Sequence, residues 1–72
     1  MPHITLTLYK GRSPEEEKRL ACSLQECLMS QGPWKASDIS VSVEGVTPDE
    51  FVKTVKSHTK TENLVLPSDY IR

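Results

Sequence analysis

Seventy-two residues, 26% of them charged and with a formal net charge of −1, make one domain at most. Acids and bases are interspersed, which excludes the basic face of a nucleic-acid binder, and no apolar stretch is long enough to span a membrane. A chain this short buries little of its surface, and its two cysteines are too few for a disulfide scaffold, so a partner copy is the expected stabiliser.

The first predicted element is a strand. Ile4, Leu6 and Leu8 alternate with His3, Thr5, Thr7 and Tyr9, giving one apolar and one mostly polar face. Pro2 stands at its head, directly after Met1. Removal of Met1 would turn the Pro2 nitrogen into a terminal secondary amine, able to take and give a proton near neutral pH. The plainer reading of Pro2 is the start of an edge strand, where a missing N–H costs little. Gly11 ends the strand.

Ser13-Pro14-Glu15-Glu16 reads as a helix start. Ser13 suits the cap, Pro14 the first helical position, and Glu16 the capping-box position. The acids Glu15, Glu16 and Glu17 complement the positive end of the helix dipole. Leu20, Leu24, Cys27 and Leu28, widened by Ala21, predict the apolar stripe. Gly32 is placed as the C-cap, with Pro33 blocking continuation. On such a helix Cys22 and Cys27 point about 140° apart, so they read as free, structural thiols of a reducing, cytoplasmic protein.

A second strand follows over Ile39, Val41 and Val43, with Gly45 closing it. Thr47-Pro48-Asp49-Glu50 repeats the capped-helix chemistry, and Phe51, Val52 and Val55 give the shorter second helix an apolar side. Residues 57–72 are read as a tail, polar to Asn63. Leu64, Val65, Leu66, Tyr70 and Ile71 are too apolar to stay free and are expected on a partner or over a pocket mouth. Strand, helix and strand of these lengths form a parallel βαβ unit. The fold class is therefore α/β, a single domain over 1–72. Its two-stranded sheet is too small to stand alone and is expected to be completed by a second copy, with the helices on one face. The polar face of Thr5, Thr7, Ser40 and Ser42 would meet solvent or line a channel.

Pro2, the alternating strand, Gly11-Arg12-Ser13 and the acidic capped helix together resemble the 4-oxalocrotonate tautomerase family. The chain is most similar to its small dimeric bacterial branch, through Met1-Pro2-His3-Ile4 and through Ile39-Ser40-Val41-Ser42-Val43 followed by Pro48-Asp49-Glu50-Phe51. The resemblance covers about residues 2–56 and is strongest at the start. It implies a homodimer and an isomerase that interconverts keto and enol forms of a 2-keto acid, such as a phenylpyruvate-like enol. It implies Pro2 as the catalytic base, Arg12 as the group that binds the substrate carboxylate and Phe51 as a wall of the pocket, with no cofactor and no metal.

The family's second arginine falls at Ser40, which argues against a dicarboxylate substrate. Lys10 is a further cation for the first loop, and Trp34 either lines a pocket or packs within its loop. His3, His58 and the cysteines match no zinc spacing. Two other readings stay open: a non-catalytic βαβ assembly or binding module, and a hydratase or dehalogenase relative.

Overall fold

The computed structural model describes all residues from Met1 to Arg72. Strand β1 spans His3–Tyr9, helix α1 Pro14–Gln31, strand β2 Ser40–Val46 and helix α2 Pro48–His58, with single 3-10 turns at Ala36–Asp38 and Thr61–Asn63. β1 and β2 pair in parallel, from His3 opposite Ser40 to Tyr9 opposite Val46. The fold is thus a βαβ unit followed by a short second helix.

Local chemistry explains the start of α1. Ser13 is extended, and Glu16 N–H donates to its Oγ at 3.2 Å while its own N–H donates to Glu16 Oε1 at 3.1 Å. This is the reciprocal capping box. The two Ser13 bonds, backbone first, hold the Glu16 carboxyl below its ordinary value of 4.5, with weaker help from Arg12 and Arg19. Gly11 precedes the cap at φ 115°, a left-handed turn that a side chain resists.

Thr47 does not repeat the box. It caps α2 by backbone position only, and its hydroxyl donates to Glu50 Oε1 at 2.9 Å instead of accepting from the helix. Gly45 does not close β2 either. It lies inside the strand opposite Leu8, because the ladder to β1 continues to Val46 and on to a bond from Lys10 N–H to the Val46 carbonyl, 2.9 Å. The Gly32 C-cap is extended rather than left-handed. Glycine is needed there for space: a Cβ would lie 2.5 Å from the Trp34 ring.

α1 lies on the apolar face of the sheet, with Ala21, Cys22 and Gln25 bordering a cleft against Val41. Its covered line runs through Ala21, Leu24, Gln25 and Leu28, leaving Leu20 and Cys27 exposed. The stripe is turned from the expected one because Gln25 faces inward, its amide donating to the carbonyls of Ala36 and Ile39 at 3.1 Å each. Both thiols are free and exposed, not buried.

α2 lies on the opposite, polar face. Phe51 meets Tyr9 edge-on, with ring centroids 5.4 Å apart and planes at 87°, and His58 Nε2 stands 3.6 Å from Glu44 Oε1. The expectation of helices on a single face is therefore corrected. Tyr9 and Val46 end both strands with apolar groups on the polar side; Val46 is buried, and Tyr9 meets Phe51 of α2 while staying exposed. Helix α2 also takes in Ser57 and His58, the start of the expected tail. Beyond it the chain folds back over the sheet and α2, where Leu64 and Ile71 are half-buried. Only Ile39 and Val46 are buried. The molecule is a slab of 36 × 32 × 17 Å, and no helix is long and apolar enough to cross a membrane.

Candidate active site

The parallel sheet divides the expected site residues between its two ends. Pro2 marks the first. It is half-buried, and its carbonyl accepts from Ser40 N–H at 3.2 Å, so it sits level with the start of β2. Arg12 and Phe51 mark the second. Phe51 is held against Tyr9 at the last residue of β1, and Arg12 follows in the loop after it. Pro2 and Tyr9 are seven residues apart along an extended strand, about 23 Å at the usual rise. One chain therefore places Arg12 and Phe51 past the same end of β1, Arg12 beside Glu16 of α1 and Phe51 on α2 across the sheet, and keeps Pro2 at the other end.

Arg12 is free to bind an anion. Its side chain is 50% exposed, and its nearest acid is Glu16, with Nη1 3.9 Å from Oε2. That carboxylate already accepts both Ser13 bonds. Exposed pairs of this kind are weak, so the guanidinium is only loosely held. Lys10 stands exposed beside the same loop.

Phe51 separates two hollows. A cavity of 410 Å³ lies between Thr5 and Thr7 of the strand face, Phe51, Val55 and His58 of α2, and Leu64, Leu66 and Ile71 of the tail. A shallower hollow of 270 Å³ is lined by Tyr9, Phe51 and Tyr70 with Thr7 and Leu8. Its aromatic walls suit a planar apolar group. The tail thus roofs these hollows on its own chain. Trp34 lies over Gly32, in the loop after α1.

Two polar clusters on the strand face escape a reading of motifs. At the Pro2 end, His3 Nδ1 lies 2.6 Å from Ser40 Oγ and Nε2 lies 3.2 Å from Ser42 Oγ. The Ser42 and Thr5 hydroxyls are 3.4 Å apart. Further along, Thr7 Oγ1 donates to Glu44 Oε1 at 3.3 Å, and His58 approaches the same oxygen. The signal for both was the strand alternation, which places His3, Thr5 and Thr7 on the face of Ser40, Ser42 and Glu44 once the strands pair in register.

Compared with protein-family models, with curated proteins and with solved structures, the chain finds no match.

Proposed function

We propose that this protein is a proton-transfer isomerase, a keto–enol tautomerase of small 2-keto acids, with Pro2 as the base after removal of Met1. The observation that carries the reading is the division of groups along the sheet: Pro2 at one end, an available guanidinium and aromatic walls at the other. A second copy related by a two-fold axis, its strands antiparallel to the first, sets each Pro2 beside the partner's far end. Each two-stranded sheet has free edges for that pairing.

The surface supports the pairing. A folded monomer of 8.1 kDa exposes about 4,500 Å² by the usual scaling, whereas this chain exposes 5783 Å². The excess is roughly 1,300 Å², more than the about 800 Å² per partner of a standard interface. The radius of gyration, 13.2 Å, likewise exceeds the roughly 11 Å of a compact chain of this length.

In the resulting site the partner's Arg12 binds the substrate carboxylate and its Phe51 walls the apolar part. A free terminal amine titrates at about 7.7–8.0. An adjacent guanidinium and apolar walls both disfavour the ammonium form, which favours the unprotonated Pro2 amine at neutral pH. Pro2 takes the enol proton and returns it to the neighbouring carbon, acid–base catalysis by one group. The free thiols Cys22 and Cys27 fit a reducing, cytoplasmic setting.

The test compares the processed chain with one that retains Met1, both assayed by absorbance for ketonisation of the enol of phenylpyruvate. The processed chain is expected to accelerate the reaction, with a rate that rises through the Pro2 pKa as pH increases. The retained chain, whose Pro2 nitrogen is an amide, is expected to be inactive. Equal rates would overturn the reading and favour a non-catalytic binding module.

A further inference from the structure

Resting on the tautomerase reading, we propose that Ser40, set by His3, is a second catalytic residue that donates a hydrogen bond to the substrate's 2-oxygen while Pro2 handles the proton. Ketonisation passes through an enolate. The enol O–H proton moves to the Pro2 nitrogen, the oxygen keeps the bonding pair, and the proton then goes from Pro2 to the adjacent carbon as the C=O bond forms. Charge gathers on the 2-oxygen, and a donor placed there before the reaction lowers the barrier. Ser40 is in position to be that donor. Its N–H bonds to the Pro2 carbonyl at 3.2 Å, and its side chain is exposed at the head of the sheet.

The four side chains of the cluster admit two hydrogen-bond orders, because hydroxyls turn to suit and a neutral imidazole has one donor and one acceptor nitrogen. In the first, Ser40 donates to His3 Nδ1, His3 Nε2–H donates to Ser42, and Ser42 donates to Thr5. In the second, every bond reverses: Thr5 donates to Ser42, Ser42 to Nε2, and Nδ1–H to Ser40. Only the second frees the Ser40 proton. A substrate oxygen at Ser40 selects it, and the 2.6 Å bond from His3 then polarises the hydroxyl towards the substrate. His3 acts through Ser40 and is a positioning residue. The other ionisable groups on this face, Glu44 and the His58 of α2 beside it, lie further along the sheet and leave the Pro2 end to His3 and the hydroxyls.

The experiment uses the processed chain and the same enol. Ser40→Ala is expected to lower kcat about a hundredfold to a thousandfold while leaving KM and the pH of the Pro2 limb in place. Ser40→Thr keeps a hydroxyl and a strand-compatible side chain and should restore most of the rate. His3→Phe is expected to fall between them. In ¹⁵N spectra of the His3 ring, an unreactive enolate mimic such as oxalate should move the population towards the Nδ1–H tautomer. Full kcat in Ser40→Ala, or a Ser40→Thr variant as slow as Ser40→Ala, would overturn the proposal with the tautomerase reading intact. A wild-type processed chain with no ketonisation would instead remove the reading beneath it.

Discussion

Gly32→Ala sets two effects of opposite sign against each other. Gly32 has an extended backbone, φ −154° and ψ −171°, which alanine adopts without strain. By chain entropy alone the substitution should stabilise by about 0.4–1 kcal/mol. The new methyl, however, would stand 2.5 Å from Trp34 Cζ3 and 2.7 Å from Cε3. Both distances lie far inside van der Waals contact, so the indole must shift by roughly 1 Å to restore about 3.5 Å. Overpacking of this kind costs about 1–3 kcal/mol, and Trp34 is a rigid ring only half-exposed in its loop. The clash outweighs the entropy gain, for a net loss of about 1 kcal/mol. In a domain of this size that lowers Tm by about 4–8 °C. Trp34 is the only tryptophan, so its emission reports the displacement directly, by a shift to the red. A Tm that rises, with emission unchanged, would refute the close approach of Trp34 to Gly32.

Other substitutions test separate parts of the fold. Ser13→Ala removes the cap of α1 and should cost about 1 kcal/mol at neutral pH, read as a lower urea midpoint. Because folding lowers the Glu16 pKa, the stability tied to it is fully present above 4.5 and is lost as pH falls from there through the folded value. The gap between wild type and Ser13→Ala should therefore narrow below that pH. Truncation after Asn63 strips Leu64, Leu66 and Ile71 from the wall shared with Phe51 and Val55 and should lower Tm; an unchanged Tm would mean that the tail packs on nothing. Sedimentation at micromolar concentration should show a dimer, and a stable folded monomer would contradict the surface argument.

What the sequence made legible is what short-range chemistry decides. Ser13, Pro14 and Glu16 define the start of α1 by themselves, and the alternation over His3–Tyr9 needs no tertiary help to read as a strand. The failures share one cause, in that longer-range packing overrode a local cue. Gly45 is a local strand breaker, yet it lies within β2 because its neighbours complete a ladder with β1. Leu20 and Cys27 fit an apolar stripe, yet Gln25 turns the helix by finding two loop carbonyls that no periodicity reveals. The side of the sheet taken by α2 follows from Phe51 meeting Tyr9 and His58 meeting Glu44, contacts made only after the strands are in register. The candidate site was legible as residues but not as an arrangement. The separation of Pro2 from Arg12 and Phe51 follows from strand length and direction, and it turns the expectation of a partner from a matter of stability into one of chemistry.

Subunit complementation tests that claim most directly. Processed Pro2→Ala supplies Arg12 without the proline base, and processed Arg12→Ala supplies Pro2 without the guanidinium. Each alone should be nearly inactive on the enol. Mixed in equal amounts and allowed to exchange, half the dimers become hybrids, each holding one site with both groups intact, so activity should return to about a quarter of wild type. Hybrids that form, by mass, yet stay as inactive as their parents would contradict a site shared between two chains.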